Sequence, residues 1–182
     1  DGKPVADDLP AKEKFERAVH MRDIHADIGM QCADCHFADD AHGNGELHGE
    51  VAAEVNIRCQ DCHGTADAYA SLKTSGPASP QQGRDLSRLK NADNRNRFEW
   101  RGGKLYQRLI LPPHQEFAVS QVKDSVTPGN PEYNAKSARA KLMSKGSGQQ
   151  FGLGVAKGNR AHGDEEIACF SCHSAWVTSC GG

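Results

Sequence analysis

Apolar positions along this chain come in short, separated groups rather than long periodic runs. The order Pro-Ala-Lys-Glu-Lys-Phe-Glu-Arg-Ala-Val-His-Met from Pro10 to Met21 predicts a helix, with Pro10 in its first turn and Phe15, Ala18 and Val19 facing inward. Asp85 to Lys90 has the makings of a single helical turn. Phe98 to Leu111 predicts a β-hairpin turned near Gly102-Gly103, and Phe117 to Val126 predicts a third strand ended by Thr127-Pro128-Gly129-Asn130. A helix is expected over residues 131–145, starting after Asn130-Pro131. Between these elements the chain is polar: a loose arm over 1–10, a loop at Ser75 to Gly83, and a glycine-rich stretch over 146–160. No apolar run approaches the ~20 residues of a spanning helix, so any membrane link would run through a partner.

This pattern leaves too little to fill a conventional core. Leu, Ile, Val and Phe together number 30 of 182 residues, below the ~20 % at which an ordinary globular interior becomes doubtful. A formal net charge of only −2 does not suit a disordered chain. Something other than aliphatic side chains must supply the apolar interior. Charge is unevenly spread: residues 1–67 hold 15 acidic and 6 basic side chains, residues 68–108 hold 3 and 9, and residues 109–182 hold 6 and 7. Such opposed patches steer association within one molecule or between successive ones. Phe98, Trp100 and Tyr106 lie in the basic stretch, but alternating aromatics are ordinary strand content, and no nucleic acid is expected.

Three pentapeptides carry the chemistry. They are Cys32-Ala33-Asp34-Cys35-His36, Cys59-Gln60-Asp61-Cys62-His63 and Cys169-Phe170-Ser171-Cys172-His173. C-x-x-C-H is the attachment pattern of a c-type haem. Two cysteines on one tight turn present their sulfurs along one edge of the macrocycle, where each bonds a vinyl group. The next residue comes under the ring face, and its imidazole reaches the iron. The first two cysteine pairs also resemble a zinc pattern, but that reading leaves His36, His63 and His173 unexplained. Three large flat rings would supply the missing apolar interior, and removing them should unfold much of the chain.

A weak repeat surrounds the motifs. An acid stands five positions before the first cysteine each time (Asp27, Glu54, Asp164), where it is expected to cap the attachment turn. Met30, Ile57 or Ile167 stands two positions before and is expected to pack on the haem. His25 and His162 both lie seven residues before a first cysteine, too close to loop back to the local iron, so each is expected to serve a neighbouring haem. His42 lies among small residues that let backbone approach a flat ring, and His20 lies five residues before His25. His20, His25, His42 and His162 are therefore the candidate distal ligands, with His48 and His114 ranked lower. Met21, Met30 and Met143 are few and have packing roles, which favours bis-histidine ligation.

Six of the seven cysteines are used by the motifs, so no structural disulfide is expected. Cys180, in Ser179-Cys180-Gly181-Gly182, is expected to begin a fourth attachment site of a longer chain, or to tether a partner. The opening at Asp1 reads as a processed end or a fragment boundary. Haem is attached to C-x-x-C-H outside the cytoplasm, which places the protein in the periplasm or at the cell surface.

The three motifs, the surplus histidines and the low apolar content resemble multihaem c-type cytochromes of periplasmic and extracellular electron transfer. DIGMQCADCHF and CFSCHSAW are similar to segments of large polyhaem proteins of metal-reducing or syntrophic bacteria. The resemblance covers residues 20–67 and 160–182 best, and implies His36, His63 and His173 as proximal ligands with the cysteine pairs as thioether anchors. The wide gap between the second and third motifs departs from compact tri- and tetrahaem cytochromes. The expected fold is mostly irregular, with short α-helices organised around covalent haems and a small β-hairpin or sheet insert. Its expected parts are a dihaem segment over 1–67, a linker, β-rich insert and helix over 68–160, and a third haem segment over 161–182. The leading expected function is electron transfer, with redox proteins or copies of itself as partners. A multihaem reductase with one five-coordinate iron, and a structural subunit of a haem filament, are the alternatives.

Overall fold

The computed structural model describes residues 24–146, 150 and 154–173. The helix expected over Pro10 to Met21, with His20, lies outside these residues, as does Cys180. The helices are single turns or little more: α1 (Ile24–Asp27), α2 (Cys32–Cys35), α3 (Ala38–His42), α4 (Cys59–His63), α5 (Val122–Val126) and α6 (Ala135–Lys141), with 3-10 turns at Val51–Glu54, Leu86–Arg88, Lys157–Asn159 and Cys169–Ser171. The last is the third C-x-x-C turn.

The hairpin forms where the alternation places it. Strands β1 (Phe98–Arg101) and β2 (Lys104–Arg108) pair antiparallel around Gly102-Gly103, with Phe98 opposite Gln107 and Trp100 opposite Leu105. β3 (Glu116–Val119) adds to the far edge of β2, with Leu105 opposite Val119. One face carries Phe98 and Leu105 into a core with Ala70, Leu72 and Leu86, and Phe37, Ile57, Cys62, Leu89 and Val119 pack against it. Burying each leucine contributes about 1.5–3 kcal/mol. On the other face the buried Arg108 is held between Glu99 at 3.1 Å and Glu116 at 2.8 Å. Cys62 and Phe37 come from the attachment segments, so this sheet core is also the floor beneath the first two motifs.

The third strand is shorter than expected. It stops at Val119, and Val122–Val126 is the helix α5. Ser120 and Gln121 leave the ladder because their polar groups are used elsewhere: the Ser120 carbonyl accepts from His63, and the Gln121 amide bonds Ala70, Cys62 and Val119. Val122 and Val126, four residues apart, then face Ala138 and Leu142 in a second small core. The helix expected over 131–145 is confined to Ala135–Lys141, because the Asn134 side chain caps it by accepting from the Lys136 and Ser137 N–H groups. Asp85 caps the expected turn at Leu86–Arg88 in the same way.

Candidate haem-attachment sites

Each C-x-x-C-H is folded as one helical turn. The His36 N–H bonds the Cys32 carbonyl at 2.7 Å and the His173 N–H bonds the Cys169 carbonyl at 2.9 Å, while Cys59 to His63 is α4 itself. Positions i, i+3 and i+4 share one face of such a turn, so both thiols and the imidazole project to the same side. Gly64 leaves α4 at φ +66°, and a Cβ there would collide with the Ala68 carbonyl oxygen, so the chain can turn away directly behind His63 only at a glycine.

The caps of these turns come from inside the motifs. Asp34 accepts from the Gln31 N–H at 2.8 Å and Asp61 from the Arg58 N–H at 2.7 Å, each an acid reaching back three residues to the helix start. This corrects the expectation that Asp27, Glu54 and Asp164 serve as caps; Asp164 instead pairs with Lys141 at 2.6 Å. Ile57, expected against a haem, lies against the sheet core. Sequence reading passed over Asp34 and Asp61, although their signal was present: the third residue of the first two motifs is Asp, and in the last it is Ser171.

The opposite side of each turn grips the middle of the chain. The second carboxylate oxygen of Asp34 accepts from the Ile110 N–H at 2.7 Å, the Asp34 carbonyl accepts from Gln107, and the Ala33 carbonyl accepts from Arg97. Asp61 accepts from the Ser75 N–H at 2.9 Å and the Ser75 hydroxyl at 2.6 Å, while the Cys62 carbonyl accepts from Gln121 at 2.9 Å.

Two of the motif histidines are oriented by one ring nitrogen. His63 Nδ1–H donates to the Ser120 carbonyl at 2.8 Å, and His36 Nδ1–H donates to the Asp40 carboxylate at 3.0 Å. Donation from Nδ1 leaves the Nε2 lone pair free for a metal. Burial pushes the His63 pKa down, against the Ser120 bond and with help from nearby His25 and His173. A lowered pKa favours the neutral ring, the form in which an imidazole can bind a metal. Burial opposes the Asp40 charge, but hydrogen bonds from Asn56, His36 and the Phe37 N–H outweigh it and hold its pKa below the usual range. His162 Nδ1 donates to the Ala140 carbonyl at 2.7 Å and His114 Nδ1 to the Leu109 carbonyl at 3.0 Å. His42 is exposed at the end of α3, and His48 bonds Asn44.

The first and third motifs each come within electrostatic reach of the second. Cys35 interacts electrostatically with both Cys59 and Cys62, and Cys59 shares a thiol hydrogen bond with Cys169. That bond raises the Cys59 pKa and lowers that of Cys169 to about 6; burial and the Cys35 and Asp61 charges raise Cys62. The His25 and His63 ring centres are 6.0 Å apart. The six described cysteines are not joined by disulfides. Among the described residues no three His, Cys, Asp or Glu side chains are gathered as a metal-ion site.

A model of the family described as cytochrome c554 and c-prime matches residues 6–64. The match supports a c-type cytochrome. It spans the first two motifs, roughly the first third of the chain, and implies covalently bound haem c and electron transfer. No curated protein and no solved structure matches. The donor set of this chain fits the group. Paired thiols share a face with an imidazole whose Nε2 is free; the Arg84 guanidinium carbon lies 4.1 Å from the centre of the Phe37 ring that follows His36, and the buried Arg84 Nε–H lacks an acceptor of the kind a haem propionate offers. Among the described residues no helix is long and apolar enough to cross a membrane.

Proposed function

We propose that this chain carries electrons in the periplasm or outside the cell through three haem c groups gathered around the second motif, each iron held between two histidines. The observation that carries the reading is the 6.0 Å between the His25 and His63 ring centres, which leaves room for one metal between two imidazoles, the second of them in a C-x-x-C-H turn. When bound, each haem supplies a reversible one-electron iron couple.

The rest is the work of the chain. Cys32 and Cys35, Cys59 and Cys62, and Cys169 and Cys172 anchor the groups, with His36, His63 and His173 as proximal ligands. Ser120 and Asp40 hold the rings of His63 and His36 with Nε2 available. His25 is the distal ligand opposite His63: imidazole–metal bonds of about 2 Å place two rings on opposite sides of one metal with centres about 6 Å apart, the separation found here. His162, held on the Ala140 carbonyl, serves a neighbouring iron, and His42 and His20 complete the candidate set. With both axial positions filled, no iron is open to substrate, and the partners are redox proteins or further copies of the chain.

Intact mass counts the attached haems, and three are expected. The reduced protein should not bind carbon monoxide, and His25→Ala should open one haem to it. Stoichiometric binding by the unaltered protein would replace this reading with a reductase, and regular fibres under electron microscopy would add a filament role.

A further inference from the structure

We propose that Asp34 and Asp61 are tuning charges built into the first two attachment turns: positioning residues that hold each turn in place and set how readily its iron is reduced. The proposal rests on the reading of these motifs as haem sites. Each carboxylate is 2 % exposed. Asp34 accepts backbone N–H groups at both oxygens, from Gln31 and Ile110. Asp61 accepts the Arg58 and Ser75 N–H groups and the Ser75 hydroxyl. All of these donors are neutral. Neutral donors do not offset a carboxylate charge as a cation would, and burial leaves little water to screen it.

The charge stands two residues before the histidine that ligates the iron, on the same rigid turn. Negative charge there favours the oxidised iron, which carries one more positive charge than the reduced form, and so lowers the midpoint potential. For the first site, the Arg97 guanidinium on the Ala33 carbonyl offsets part of the effect, and Asp40 on His36 adds to it. For the second site, the Arg58 side chain turns away to Glu165, 3.9 Å distant, so the effect of Asp61 is the larger of the two. The third turn has Ser171 in this place, and the nearby Asp164, Glu165 and Glu166 meet Lys141, Arg58 and Lys145.

The test is spectroelectrochemical titration of the haem-loaded protein with Asp61→Asn, which keeps the shape and removes the charge. One of three midpoints should rise by about tenfold in its reduction equilibrium, equivalent to about 59 mV for one electron. Ser75→Ala should shift the same midpoint the other way and by less, since it removes the hydroxyl bond from one carboxylate oxygen, keeps the Ser75 and Arg58 N–H bonds on the other, and leaves more of the charge felt at the iron. A merely structural role would not reverse sign between these variants. Three haems with unmoved midpoints in Asp61→Asn overturn the proposal. If that variant loses its second haem, Ser75→Ala decides: a lowered midpoint supports the tuning role, and an unchanged or raised one overturns it. Amide hydrogen exchange at Ser75 and Ile110 reports the positioning role separately. An unaltered protein lacking haem at either motif would instead overturn the reading beneath.

Discussion

Asp61 lies buried with donors on both oxygens, whereas around the third motif Glu165 and Glu166 are exposed and meet Arg58 and Lys145 at the surface. The first two turns are thus held from behind by the sheet core and by a dense set of backbone and side-chain hydrogen bonds. The third is attached through ion pairs to α6 and through Arg160, which grips Asp67 with two bonds of 2.7 and 2.8 Å. The difference teaches how a chain poor in aliphatic residues can place cofactors. Where a small core exists, polar groups fix the turns against it; where it does not, ion pairs do so, and the surface ones among them, Arg58 with Glu165 and Lys145 with Glu166, contribute at most about 1 kcal/mol each.

The strongest way to break this contrast is to hollow the sheet core. Leu105 is 0 % exposed, and Leu105→Ala should cost about 2–5 kcal/mol in urea unfolding and loosen both of the first two turns. Leu142→Ala, in the smaller core of Val126 and Ala138, should cost toward the lower end of the same range. Its effect should fall on the third site, and hydrogen exchange near Asp61 should stay as it was. Gln121→Ala removes the groups that satisfy Ala70 N–H and the Cys62 carbonyl. Stranding them should cost about 1–3 kcal/mol and shift the spectrum of the second haem only.

The smallest effect is Arg160→Ala. The Arg160 hydrogen bond holds the Asp67 pKa below its ordinary value, so this pair stabilises the fold above the usual aspartate range near pH 4. The contribution is lost as the pH falls through the depressed folded value. The loss should be under about 1 kcal/mol, vanish in acid, and shrink in concentrated salt. A salt-independent loss would show that the third region is held by something other than charge.

Local features were legible along the chain. The alternation around Gly102-Gly103 is a backbone preference, and C-x-x-C-H is a statement about one helical turn, so both could be read without knowing the fold. The β3 boundary was misread because Val122 and Val126 fit a strand and a helix alike, and a partner at Leu142 decides between them. The caps were misassigned because an acid five residues upstream and an acid within the motif are equally good by spacing. Only the packing of Ile110 and Ser75 against Asp34 and Asp61 selects the inner one.

The sequence by itself determined the donors: six thiols in three pairs, an imidazole after each, and a composition that calls for rings to complete the interior. Only the tertiary structure decided that the first and third motifs come within electrostatic reach of the second, that the His25 and His63 ring centres lie 6.0 Å apart, and that the middle segment grips the first two turns. Spacing encodes what lies on one turn because the backbone repeats there. It carries no code for which distant turns meet, because that depends on long-range packing and on which buried polar groups find partners.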